Sequence, residues 1–207
     1  MLYPHGTWGL DRRGALVLAV FGVLIGMSAA LVVTLKGTAQ SPADSATAEF
    51  ERLATESGGD RVVATVNGIA ITQREIDTTV IASTTADSRL SADQALAEAI
   101  DHRVLVSAAL ESGVTVTEAE VDSMVDAALG PLLEGKVPTE TEEMIRAWFR
   151  AAGTTLEGAG ESERYRTVLR DMLLTGRYVN ANGGDRDALV SELRETADIE
   201  FIADPIE

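Results

Sequence analysis

The chain has 207 residues, 33 acidic and 17 basic side chains, and a formal net charge of −16 at pH 7. An acidic surface repels phosphate backbones, so nucleic acid is not an expected partner. The chain contains no cysteine and only two histidines, His5 and His102. Disulfides, thiolate metal sites, a cysteine nucleophile and a histidine metal cluster are therefore excluded, and no cofactor or metal is expected.

An uncharged apolar segment, Gly14–Leu35, stands near the start of the sequence. As a helix rising about 1.5 Å per residue it would extend about 33 Å, enough to cross a hydrocarbon core of about 30 Å. Arg12 and Arg13 precede the segment, and Lys36 follows it. The positive-inside rule therefore predicts a cytoplasmic tail over residues 1–13, a single transmembrane anchor over 14–35, and an extracytoplasmic remainder.

A cleaved signal peptide is the alternative interpretation of this segment, because Gly37 and Ala39 would suit the small-residue positions of a cleavage site. The apolar run is longer than the about 7–15 residues of a typical signal peptide, which favours a retained anchor.

Residues 36–60 are rich in alanine, serine, threonine, glycine and acidic residues. This composition predicts a linker between the anchor and a folded domain, with a short helix near Ala48–Thr55.

The segment from Arg61 to Thr72 predicts a β-hairpin, because Asn67-Gly68 is favoured in a two-residue type I′ turn. This turn pairs Val66 with Ile69 and Ala64 with Ile71. In this register Val63, Thr65 and Ala70 lie on one face of the hairpin. The opposite face carries Val62, Ala64, Val66, Ile69 and Ile71.

Helix start and stop signals follow the hairpin. Serine or threonine with glutamate or glutamine three residues later predicts a capping box at Thr72/Glu75, Ser91/Gln94, Thr117/Glu120 and Thr139/Glu142. Gly113 and Gly153 are C-terminal stops. The predicted helices run from Thr72 to about Ser83, Ala92–Ser112, Thr117 to about Leu133, Thr139–Ala152, Glu161–Val179 and Asp185–Thr196.

Two further patterns complete the predicted fold, which is mainly α with a small sheet. Apolar residues four apart predict the buried face of the second helix: Leu96, Ile100, Val104 and Ala108. A short strand at Ile199–Ile202 is expected beside the hairpin, because an isolated strand would leave its backbone groups without partners.

The stretch “VVATVNGIAITQREID” is followed by “AIDHRVLVSAALESGVTVTEAEVDSMV”. In the order and spacing of their motifs, these stretches resemble the N-terminal region of SurA-type periplasmic chaperones and their relatives, the PrsA and PpiD foldases. The close match covers about Val62 to Val125, under a third of the chain. The positions that match the family pattern after the hairpin are Ile100, Asp101, Val104, Leu105, Ala109, Gly113, Val116, Thr117, Glu120 and Val121.

The resemblance implies a helical chaperone domain over residues 61–207, in which the last helix and strand pack on the N-terminal part. Many relatives insert a parvulin-type prolyl isomerase domain before that last helix. Here only Asn180–Asp185 separates the fifth and sixth predicted helices, which leaves no room for a domain of about a hundred residues. The parvulin pocket also uses histidines, and none lies beyond His102. We therefore expect no isomerase activity.

The candidate peptide-binding residues lie on two predicted helices. Met144, Ile145, Trp148 and Phe149 form a wide apolar stripe on the fourth helix, and Tyr165 and Met172 form a weaker stripe on the fifth. Methionine and aromatic side chains adapt to varied apolar ligands, as a peptide-binding surface requires. Core packing against neighbouring helices is the alternative, and it is favoured for the first stripe as a whole.

The remaining polar candidates have plain structural causes. His102 follows Asp101 on a helix, where adjacent residues do not face each other, so a partly exposed histidine is favoured over a pH switch. The acidic runs at 140–143 and 161–163 lack calcium-loop spacing and are accounted for by helix N-termini.

These patterns predict a membrane-anchored extracytoplasmic chaperone that holds unfolded secreted or envelope polypeptides. The alternative is a non-catalytic assembly subunit that binds one specific envelope protein. An enzyme is not expected, because the sequence has no nucleophile elbow, phosphate loop or dinucleotide fingerprint.

Overall fold

The computed structural model describes residues 42–56, 60–84 and 88–203, which lie within one unit of the chain, residues 40–207. These residues form a mainly helical fold with one small antiparallel sheet. The helices are α1 (Pro42–Thr55), α2 (Gln73–Ala82), α3 (Ala92–Glu111), α4 (Glu118–Leu133), α5 (Thr139–Ala151), α6 (Glu163–Ala181) and α7 (Arg186–Arg194). The strands are β1 (Val62–Val66), β2 (Ile69–Thr72) and β3 (Ile199–Phe201).

The predicted tail, 1–13, and the predicted anchor, 14–35, lie outside the described residues. Among the helices that are described, none combines the length and the apolar character needed to span a membrane.

The sheet has the strand order β2-β1-β3, with antiparallel pairing throughout. The predicted hairpin register is confirmed, because Val66 pairs with Ile69 and Ala64 with Ile71. Asn67 and Gly68 have φ angles of 49° and 79°, as a type I′ turn requires. On its other side β1 pairs with β3, which confirms the expected position of the late strand beside the hairpin.

The predicted faces of the hairpin are wrong at Val63. Val62 pairs with Thr72 and Ala64 with Ile71, so Val63 is the extra residue of a β-bulge. Its side chain is fully buried with those of Ala64 and Val66, whereas strict alternation put it on the opposite face. Strict alternation also gave Val62 a core position, and it is only partly buried.

Two of the four predicted capping boxes form in full, at Ser91/Gln94 and Thr117/Glu120. At the start of α2 the Thr72 side chain accepts the bond from the Glu75 N–H. The Glu75 carboxylate does not complete a box there, because it bonds Arg103 instead.

The N-termini of α5 and α6 differ from the predictions. Pro138 occupies the N-cap of α5 and makes no side-chain bond, so the predicted Thr139/Glu142 box is wrong. The Glu142 carboxylate instead accepts a 2.9 Å bond from Arg146 one turn later. Helix α6 begins after its cap, Ser162, because Glu161 belongs to a short 3₁₀ turn, Ala159–Glu161.

The main core lies between the sheet, α2 and α3. It contains Leu96, Ile100 and Val104 of the predicted α3 stripe, and Ala108 is also buried. Helix α7 packs on α3, and its Leu193 contacts this core.

The predicted linker, 36–60, is wrong over residues 42–55. These residues form α1, of which the predicted short helix at 48–55 is only the second half. Ala46, Phe50 and Leu53 recur at helical spacing and are buried against Ala147 and Ala151 of α5. A second apolar cluster, separate from the main core, therefore lies between α1 and α5.

Candidate functional site

The predicted peptide-binding stripe of α5 lies mostly in the interior. Ile145 and Phe149 are buried, with Phe149 only 2% exposed. Met144 and Trp148 are partly buried and pack against the α1–α5 cluster. With α1 in place, this stripe therefore does not form an open groove.

An aromatic trio connects α5 to α6. The ring centroids of Trp148 and Phe149 are 4.8 Å apart, and those of Phe149 and Tyr165 are 5.3 Å apart, in edge-to-face geometry. Tyr165 is buried, which raises the pKa of its hydroxyl to about 12. Met172 is partly buried and lies two turns further along α6, about 10 Å away along the helix axis. Five of the six predicted residues therefore lie on α5 or against it, and Met172 lies apart.

Arginine contacts hold α1 in place. The Arg74 guanidinium donates to the backbone carbonyls of Leu53, Glu56 and Ala151 at 3.1, 3.2 and 2.9 Å. Leu53 and Ala151 lie in the last turns of α1 and α5, where carbonyls lack helical partners and attract cations. Arg89 also makes a bidentate pair with Glu49 of α1, at 2.9 and 2.7 Å.

A buried cluster of charges, Glu75–Arg103–Asp171, joins three helices. Arg103 of α3 lies 3.0 Å from the Glu75 carboxylate of α2 and 3.1 Å from the Asp171 carboxylate of α6. Burial raises the pKa of both carboxyl groups, and the Arg103 charge opposes that rise. The Arg103 side chain is 16% exposed, and its Nε is buried with no hydrogen-bond partner among the described residues. This cluster was not predicted from the sequence, where its only signal is Arg103 as the single arginine of α3.

His102 lies beside this cluster but takes no direct part in it. It is partly buried, and burial lowers its pKa to about 4, with smaller contributions from Arg103 and Arg186. The Asp101 carboxylate accepts a 2.5 Å bond from Arg194 of α7.

Many acidic side chains are paired with arginines. Arg166 of α6 bridges Glu118 and Asp122 of α4 at 2.8 and 2.7 Å, and Arg177 pairs with Glu120. Hydrogen bonds from the Thr117 backbone, Arg177 and the Thr117 hydroxyl lower the pKa of Glu120 to about 2. No group of histidine and acidic side chains in the described part of the chain is arranged to hold a metal ion.

The exposed apolar surface includes two residues at the end of β3, which is an edge of the sheet. Phe201 and Ile202 are 65% and 54% exposed and adjacent in sequence. Leu110, Leu133 and Val168 are also exposed, each on a helix. The exposure of Phe201 and Ile202 was not predicted from the sequence, because an apolar strand that completes a sheet is expected to be buried.

The comparisons with protein families, with curated proteins and with solved structures give no match in any of the three.

Proposed function

We propose that the chain is a membrane-anchored extracytoplasmic chaperone that holds unfolded secreted or envelope polypeptides and has no prolyl isomerase activity. The observation that carries the proposal is the exposure of Phe201 on the edge strand β3 and of Ile202 directly after it. A protein that holds unfolded chains must offer apolar surface to them, and Phe201 and Ile202 offer such surface.

The arrangement of the late elements also supports this function. Helix α7 packs on α3 and strand β3 pairs with β1, which is the topology that the resemblance to SurA-type chaperones implies. Helix α6 ends at Ala181 and α7 begins at Arg186, so an isomerase domain has no place between them. Acceleration of Xaa-Pro isomerisation by the purified chain would contradict this part of the proposal.

A suppression assay tests the holding activity. An unfolded secreted protein is diluted from denaturant into buffer with residues 40–207, and aggregation is followed by light scattering. We expect suppression near equimolar ratio, since each copy would shield apolar segments of one client. A folded, equally acidic protein without exposed apolar patches is the control for simple charge effects. Absence of suppression by a sample with native circular dichroism would contradict the proposal.

A dedicated assembly subunit is the second candidate. It is favoured by the small size of the exposed pair and the shortness of β3, which spans three residues. Such a surface suits one matching partner better than many unrelated clients. A single stoichiometric envelope protein in a membrane pull-down, without suppression of aggregation, would support this candidate.

A further inference from the structure

The outer edge of β3 carries backbone hydrogen-bonding groups that β1 does not use. Asn67 N–H donates to Asp198 C=O at 2.8 Å, and Ile202 N–H donates to Val63 C=O at 2.8 Å. In an antiparallel pair, alternate residues direct their backbone groups to the same neighbour. The N–H and C=O groups of Ile199 and Phe201 therefore point away from β1, where the described part of the chain places no further strand.

The side chains along this edge carry an alternating pattern. Phe201 is paired with Ala64, whose side chain is fully buried in the main core, so Phe201 extends the core face of the sheet. Phe201 is 65% exposed, which means that the core face continues past the elements that cover it. Glu200 lies on the opposite face, because successive side chains of a strand alternate.

The charges near this edge are acidic. Glu195, Asp198 and Glu200 are exposed, and within the described residues none of their carboxylates forms an ion pair. By contrast, Arg194, the nearest basic residue in sequence, is engaged with Asp101. The edge therefore attracts positive charge on the Glu200 face and apolar groups on the Phe201 face.

We propose that the outer edge of β3 binds an extended polypeptide segment in which apolar and basic residues alternate, and adds it to the sheet as a fourth strand. Backbone bonds to Ile199 and Phe201 supply the pairing. Apolar side chains of the segment cover Phe201, and its lysine or arginine side chains lie beside Glu200. The inference rests on the proposed function for the class of ligand, which is an unfolded or extended chain.

Two alternative roles of the edge are outcomes of the same test. In the first, the charge of Glu200 and the shortness of β3 prevent any other strand from pairing with this edge, and the edge binds nothing. In the second, another copy of the chain occupies the edge. The acidic side chains of the two copies would then repel each other.

The test measures peptide binding to the full 207-residue chain in detergent micelles. The probe is a labelled peptide of alternating valine and lysine, with two controls: valine alternating with glutamate, and the same valines and lysines in two blocks. Fluorescence anisotropy gives the affinity, and NMR hydrogen exchange gives the protection of single amides. The chain variants are Phe201→Ser, Glu200→Lys and, as the matched control, Leu133→Ser, which removes a 53% exposed apolar side chain from α4.

We expect the alternating valine–lysine peptide to bind about tenfold more tightly than either control peptide. Phe201→Ser should weaken binding about tenfold, Glu200→Lys should shift preference toward the glutamate peptide, and Leu133→Ser should change nothing. The amides of Ile199 and Phe201 should exchange more slowly with peptide bound. Equal binding of all three peptides, or binding that is insensitive to Phe201→Ser, would overturn the inference.

Parallel assays separate this inference from the proposed function. If the chain suppresses aggregation but binds the three peptides equally, or binds them with no loss in Phe201→Ser, the edge inference fails and the holding function stands. If the peptide binds at the edge but no aggregation is suppressed, the inference stands and the holding function fails. A dimer in sedimentation that Phe201→Ser dissociates would identify a second copy as the occupant and overturn the inference.

Discussion

Arg103 joins α2, α3 and α6 through ion pairs with two carboxylates. Its guanidinium is the described partner of two carboxylates with little access to water, Glu75 and Asp171. Removing one member of such a cluster leaves uncompensated charge in the interior, which costs more than the cluster itself contributes. The sequence could not have predicted this cluster, because its members are 28 and 68 residues apart and belong to three helices.

We expect Arg103→Met to lower the free energy of unfolding at pH 7 by about 3–5 kcal/mol. Without the positive charge the pKa of both carboxyl groups rises further, so the variant should regain stability relative to the wild type between pH 7 and pH 5. Urea unfolding at the two pH values measures both effects. Arg52→Met is the control, because Arg52 makes an exposed ion pair with Glu56. This substitution should lower the free energy of unfolding by less than about 1 kcal/mol. An equal loss in the two variants would contradict the burial argument.

His102 should make the fold sensitive to mild acid. The pKa of His102 is lowered to about 4 by burial, whereas an unfolded histidine has its pKa near 6.5. Below pH 6.5 His102 is protonated in the unfolded chain but remains neutral in the folded chain. The free energy of unfolding therefore falls as the pH falls toward 4. The loss is at most about 1.4 kcal/mol per pH unit, from this residue alone.

The raised pKa values of Glu75 and Asp171 act in the opposite direction, because folding favours the protonated carboxyl. The difference between the wild type and His102→Gln isolates the histidine, since both proteins retain these carboxyls. We expect the variant to lose less stability than the wild type between pH 7 and pH 5, in urea unfolding curves. If the free energy of unfolding depends on pH in the same way in both proteins, His102 is not shielded from water in the folded chain.

At the scale of elements, α1 behaves as a separately attached layer. Its apolar residues belong to the α1–α5 cluster rather than to the main core. Phe50→Ala should cost about 3–4 kcal/mol and should expose Trp148 to water as α1 detaches. In residues 40–207 Trp148 is the single tryptophan, so a red shift of its fluorescence reports this directly. Ala48→Ser, on the exposed side of α1, is the control and should leave the spectrum unchanged.

Two serine and threonine positions that look alike in sequence should differ in stability. Ser91 completes a capping box, so Ser91→Ala should cost about 1 kcal/mol. Thr139 is not the N-cap of α5, because Pro138 occupies that place, and Thr139→Ala should change stability by less than about 0.5 kcal/mol. Chemical unfolding of both variants provides the measurement. A larger loss for Thr139→Ala would contradict the described start of α5.

The sequence predicted those elements that short-range chemistry determines. Asn67-Gly68 determined the hairpin register, and Ser91 and Thr117 determined two helix starts. The bulge at Val63 breaks the alternation that the prediction assumed, and no residue type in the strand marks it. Helix α1 was interpreted as linker because small and acidic residues surround its few large apolar ones, and its partner α5 begins more than eighty residues later.

The sequence predicted the residue types of the candidate site but not their exposure. The apolar stripe of α5 was visible in the sequence, but only the packing of α1 decides whether Met144 and Trp148 face a ligand or the protein. The exposure of Phe201 could not be read from residue type, since it depends on how far the helices cover the sheet.

At the scale of the whole molecule, the pairing of β1 with β3 affects the order in which the protein matures. The bond from the Asp198 N–H to the Asn67 side chain joins residues that are 131 positions apart. At ribosomal rates of about 5–20 residues per second, β1 is made on the order of ten seconds before its second neighbour. During that interval the nascent hairpin carries an open strand edge of its own. A newly made copy therefore passes through a stage in which it resembles the unfinished chains that we propose it protects.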